Sequence, residues 1–139
     1  MPGYSMRFLL ALVASLMISL TATNTAHAER YPIAVFSGLD KVSADVTQFE
    51  APLNKPVRYG SLEVVVYACH KKPPEELPQT SVYLEVRQVS IETQQVDPAP
   101  IFKGWMFAES PGLNGLEHPV YDIWPNTCKG AAKSDSGNL

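Results

Sequence analysis

Ser61-Leu62-Glu63-Val64-Val65-Val66-Tyr67-Ala68-Cys69 is the stretch whose reading sets the fold class. Leu62, Val64, Val66 and Ala68 fall on one side at a period of two, the spacing at which side chains alternate across a strand. Val65, Tyr67 and Cys69 make the second side partly apolar as well. With so many β-branched residues, a central strand is predicted.

The same period recurs to either side. Residues 42–49 set Val42, Ala44 and Val46 against Ser43, Asp45 and Thr47, which reads as a half-buried strand. Ala51-Pro52-Leu53-Asn54-Lys55-Pro56 then breaks the pattern with two prolines and reads as a turn or short loop. Residues 71–79 hold three prolines and two glutamates and are expected to form an exposed loop, since proline lacks a backbone donor and fixes φ. Alternation resumes over 81–91, with Val82, Leu84, Val86 and Val89 inward and Tyr83, Glu85 and Arg87 outward. The polar run 92–100, ending in Asp97-Pro98-Ala99-Pro100, is read as a turn before an aromatic-rich strand over 101–108. One short helical turn is expected within 109–117, and Pro119-Val120-Tyr121-Asp122-Ile123-Trp124 is the last ordered piece before Cys128. No stretch beyond residue 28 sustains an apolar i, i+3, i+4 pattern. The expected fold is therefore all-β, a small antiparallel sandwich or partly open barrel of about five to seven short strands.

The N-terminus reads as a secretory signal. Arg7 supplies a positive charge, residues 8–20 are apolar apart from serines, and Ala26-His27-Ala28 offers the small-x-small pattern of a cleavage site. Cleavage after Ala28 leaves Glu29 as the first residue. An uncleaved anchor is the rival reading, but the apolar run falls short of the roughly 20 residues a spanning helix needs. The expected organisation is a signal over 1–28, one β-rich domain over 29–128 and a disordered tail over 129–139. The exported part carries 10 basic and 14 acidic residues, since only Arg7 is lost, for a formal charge of −4. Such a balance argues against nucleic acid or an anionic membrane, which call for a clustered basic face.

Both cysteines, Cys69 and Cys128, lie in the exported part, where a pair of thiols is normally oxidised, so one disulfide is inferred. A metal set of Cys69, His70, His118 and Cys128 is disfavoured, because adjacent Cys-His lacks the spacing that lets neighbouring ligands converge on one ion. Redox work is disfavoured by the absence of a Cys-x-x-Cys pair. Ser110 sits in no Gly-x-Ser-x-Gly elbow, and no Gly-rich phosphate loop or dinucleotide fingerprint occurs, so no cofactor and no catalytic residue are assigned.

The densest chemistry lies in 104–124, with Trp105, Glu117, His118, Tyr121, Asp122 and Trp124 as candidate binding residues. Aromatic faces there could stack on a sugar or peptide while the polar groups hydrogen-bond it. Against this stands a core corner, in which Trp105 and Phe107 share one strand face, Tyr121 and Ile123 share another, and His118, held extended before proline, bonds the backbone at a strand entrance.

Several elements carry a resemblance. Leu39-Asp40-Lys41, Tyr59-Gly60-Ser61-Leu62, Ala68-Cys69 with the following Lys-Pro-Pro-Glu-Glu loop, Gly104-Trp105-Met106-Phe107-Ala108, and Leu116-Glu117-His118-Pro119-Val120-Tyr121-Asp122-Ile123-Trp124 with Cys128 are similar to the uncharacterised domain family 2155, a domain of unknown function. Ser43-Ala44 departs from that family's Thr-Gly. The resemblance implies an exported protein of a Gram-negative periplasm and brings no activity or site residue with it. The function expected is a non-enzymatic, envelope-associated binding or accessory module, its partner an envelope protein or cell-wall component. The alternative is a small envelope hydrolase or lyase acting on a glycan or peptide through His118 and Glu117 or Asp122.

Overall fold

The computed structural model describes residues 28–134. The expected signal therefore lies, except for Ala28, outside the described residues. Among the described residues nine strands follow in order: β1 (Glu29–Arg30), β2 (Ile33–Asp40), β3 (Asp45–Pro52), β4 (Val57–Tyr59), β5 (Leu62–Lys71), β6 (Thr80–Val89), β7 (Val96–Phe107), β8 (Tyr121–Lys129) and β9 (Lys133–Ser134). They form two antiparallel sheets. The large one runs β7-β6-β5-β1-β9 with β4 also paired to β5, and the small one runs β3-β2-β8. The fold is all-β and sandwich-like, not a closed barrel, with more strands than the alternation indicates because β1 and β9 are two residues each.

The core lies between the sheets. Leu62, Val64 and Val66 of β5, Val82, Leu84 and Val86 of β6 and Met106 of β7 meet Ala34 and Phe36 of β2, Ala51 of β3 and Ile123 of β8. Burying a side chain of this size stabilises by roughly 1.5–3 kcal/mol. β5 is the interior strand its composition indicates, and β6 buries the four residues expected, of which Val82, Leu84 and Val86 join the core between the sheets and Val89 is buried outside it.

The cysteines join only because both strands carrying them are irregular. Strict alternation from Leu62 sends Cys69 to the outer face with Val65 and Tyr67. The β5–β6 pairing slips between Val66 and Ala68, however, which leaves Tyr67 as an extra residue and turns Cys69 inward. A second slip in β8, opposite Val35 and Phe36, leaves Asn126 extra, so Pro125 and Cys128 both face the core. The two sulfurs then bond across the sandwich, with Cα atoms 5.9 Å apart.

Other expectations are corrected. The alternation of Val42, Ala44 and Val46 is not a buried face: residues 41–44 are the turn of the β2–β3 hairpin, and Val46 is 58% exposed. Turn chemistry overrides the apolar pattern there, since Asp40 Oδ1 accepts from the Val42 and Ser43 N–H groups and Ala44 adopts φ +63°. The strand that does the burying is the preceding one, β2. Asp97-Pro98-Ala99-Pro100 lies within β7, not in a turn; β7 is an edge strand, where a missing N–H costs no ladder bond. Ala51 and Pro52 complete β3 before the chain turns. Residues 109–117 contain turns and no helix. The frayed tail expected from residue 129 is ordered at its start, Lys129 closing β8 and β9 pairing with β1; residues 135–139 lie outside the described part. No helix among the described residues is long and apolar enough to cross a membrane.

Candidate functional site

The sandwich separates the residues singled out in 104–124. β8 turns Ile123 and Pro125 inward, so Trp124 points to the outer side of the small sheet, half-buried opposite Ser37. Trp105 stands beside buried Met106 on β7 and points to the outer side of the large sheet. The two tryptophans therefore face opposite ways. Glu117 is exposed on the crossover between them.

His118, Tyr121 and Asp122 do come together, at one end of the sandwich. His118 Nδ1 lies 3.1 Å from the Val120 nitrogen and 3.0 Å from the Tyr121 nitrogen, accepting both N–H groups. A nitrogen that accepts twice carries no proton, so the proton is on Nε2, which donates to Gln88 Oε1 at 2.9 Å. Gln88 is held in turn by donating to Ser61 Oγ and the Val89 carbonyl. Burial and the nearby Lys41 ammonium push the His118 pKa below the ordinary histidine value, against a smaller upward pull from Asp122. Both ring nitrogens are thus engaged by the protein, which leaves neither for a substrate. Asp122 is paired to Lys41 at 3.2 Å, and Lys41 also donates to the His118 carbonyl at 2.8 Å. The arrangement pins the start of β8.

Tyr121 continues this framework into the core. Its ring stacks on His118 at 5.5 Å and meets Tyr59 edge-on at 5.6 Å; Tyr59 stacks on Phe49, and Phe49 on Phe36. Two glycines permit it. A Cβ at Gly38 would overlap the Tyr59 ring, and Gly60, at φ +55°, would drive one into Tyr121. The cleft beside Tyr121, lined also by Gly60, Ser61 and Ser90, encloses about 270 Å³. That is below the range of about 300–1,000 Å³ typical of ligand pockets.

The outer face of the large sheet is different in kind. Trp105 is 39% exposed and packs on Tyr83 at 5.3 Å; Tyr83 packs on Tyr67, itself 41% exposed, at 6.2 Å; and His70 sits edge-on to Trp105 at 5.8 Å. Trp105 and Tyr83 are direct cross-strand partners, and Tyr67 is the extra residue of the β5 bulge, so the same irregularity that buries Cys69 places a tyrosine on this face. Asn114 holds the edge by donating to the Trp105 carbonyl at 2.7 Å. Beside the aromatics lies Glu85, outward by alternation yet only 4% exposed, because Arg87 and Lys103 fold over it. Burial raises its pKa, but the hydrogen bonds and charges of Arg87 and Lys103 outweigh that, and the carboxyl sits below its usual range. Of this face, reading from sequence had singled out Trp105 alone. The outward positions of Tyr67 and Tyr83 on neighbouring strands were the available signal.

No group of three or more His, Cys, Asp or Glu among the described residues is arranged to hold a metal ion.

Fold and site together define an all-β sandwich, tied across its sheets by one disulfide and presenting aromatic residues on one outer face. The chain belongs to the family described as Uncharacterized protein conserved in bacteria (DUF2155), which matches residues 34–128. It is also similar to an uncharacterized protein of Rickettsia prowazekii (strain Madrid E), 22% identical over 104 residues. That match covers 75% of this chain and 65% of the relative, so the chain spans less than two thirds of the relative's length. No solved structure matches.

Proposed function

We propose that the protein is exported to the bacterial periplasm, with cleavage after Ala28, and acts there as a non-enzymatic, envelope-associated binding or accessory module. The carrying observation is the aromatic cluster in which exposed Tyr67 and Trp105 pack on half-buried Tyr83, aromatic surface kept in solvent where a sheet face with no partner has no need of it. A disulfide between Cys69 and Cys128 is in keeping with an oxidising compartment. The engagement of both nitrogens of His118 favours binding over the hydrolase or lyase reading. The binding surface is accordingly the outer face of the large sheet, not the whole of 104–124.

Two measurements test this. Mass spectrometry of the periplasmic fraction should find a chain beginning at Glu29. Cosedimentation of the purified protein with isolated cell envelopes should fall at least tenfold for Trp105→Ala and stay unchanged for Trp124→Ala, which alters the opposite outer face. Equal retention of wild type and Trp105→Ala would remove the basis of the proposal.

A further inference from the structure

The large sheet gathers charge as well as aromatics. Among the described residues, strand register and burial place Arg58 and Arg87 on its outer face with Glu63 between them, Lys103 beside Glu85, and Arg30 beside Lys133. Five basic side chains among the described residues stand here but only two acidic ones, Glu63 and Glu85. Both carboxylates are already engaged from the same face, Glu63 by Arg58 at 3.5 Å and Glu85 by Arg87 and Lys103. Counted over the described residues, the face is formally +3, on a chain that is formally −3. A cationic surface on an acidic protein focuses anions to one side of the molecule.

We infer that this face binds an acidic polysaccharide. The inference rests on the proposed binding role and names its ligand class. The aromatic row crosses three adjacent strands, β5, β6 and β7, which extends about 10 Å at a strand spacing near 4.8 Å. That length seats two or three sugar rings, whose C–H faces lie against Tyr67, Tyr83 and Trp105. Arg58 and Arg87 flank the row on one side and Lys133 lies on the other, cations suited to carboxylates carried by the same chain. The surface is open, which suits an internal stretch of polymer in preference to a small molecule closed in a pocket. Basic and aromatic groups on a sheet also suit single-stranded nucleic acid. The disulfide argues for the glycan, because it belongs to the oxidising side of a bacterial membrane, away from the nucleic acid pool.

The test uses the disulfide-bonded protein purified from the periplasm and three polymers: polygalacturonate, neutral dextran and oligothymidylate. The chain has two tryptophans, so in a Trp124→Phe background the fluorescence of Trp105 reports directly on the face. Polygalacturonate should change that fluorescence, with affinity falling at least tenfold between 50 and 300 mM salt as exposed charges are screened (roughly a shortening of the Debye length from above 10 Å to below 8 Å). By calorimetry, Trp105→Ala should weaken binding at least tenfold and Arg58→Gln with Lys103→Gln about fivefold or more. Lys129→Gln, on the outer side of the small sheet, should leave it unchanged. Equal binding of dextran, or tighter binding of oligothymidylate, overturns the inference. If no polymer binds while envelope cosedimentation still depends on Trp105, the ligand class is wrong and the binding role stands. If that dependence is absent too, both fall.

Discussion

His118 shows how a residue with catalytic potential is used for architecture. The pre-proline position holds it extended at the entrance to β8, and its ring then caps two backbone N–H groups that the crossover would otherwise leave unpaired. His118→Ala should destabilise the fold by about 1–3 kcal/mol, the usual effect of leaving buried donors unsatisfied, measured by denaturant unfolding. The role also predicts a pH dependence. Because the folded pKa is depressed, the unfolded chain binds the proton more readily, so stability rises with pH. The contribution is complete above the unfolded histidine pKa of about 6.5 and is lost as pH falls from there through the lower folded value. Unfolding midpoints between pH 7.5 and 5 should therefore fall less steeply in His118→Ala than in wild type. Ala44 is the second telling residue. It holds φ +63°, a conformation glycine adopts freely and alanine does not. Ala44→Gly should raise stability by up to about 1 kcal/mol, read from the same unfolding curves.

Among the elements, β5 and β8 matter most, because each carries a bulge that reverses its phase before its cysteine. Deleting Asn126, the extra residue, would restore regular alternation in β8 with Thr127 outward and Cys128 still inward opposite Ala34. Alkylation and mass spectrometry of that variant should therefore find the disulfide intact and no free thiol. The β2–β3 hairpin supplies a contrast. Val46 occupies an apolar position by pattern but lies in solvent, so Val46→Thr should change stability by less than about 0.5 kcal/mol. Leu84→Ala, in a fully buried position of identical sequence periodicity, should cost about 2–5 kcal/mol. Legibility followed the same division. β5 and β6 were readable because each carries a long apolar face at a period of two, whereas the prolines of β7 concealed an edge strand, and the short β1 and β9 carry no pattern of their own.

At the scale of the molecule, one disulfide ties together two sheets that pack face to face through their side chains. The 59-residue separation of the cysteines predicts a stabilisation of roughly 4 kcal/mol from the lost entropy of the unfolded chain. Cys69→Ala with Cys128→Ala should lose about that much in chemical denaturation, a large part of the net stability of a domain this small. By itself the sequence determined the all-β class, the interior strands and the pairing of the two cysteines, because alternation and composition are local and there were only two thiols to join. Tertiary structure alone decided that Trp105 and Trp124 face opposite ways and that His118 has no free nitrogen. It also decided that five cations and three aromatics, scattered from residue 30 to 133, share one surface. Composition averages charge over the whole chain, whereas strand register sorts it face by face. An acidic total therefore concealed a basic face that only the pairing of distant strands could assemble.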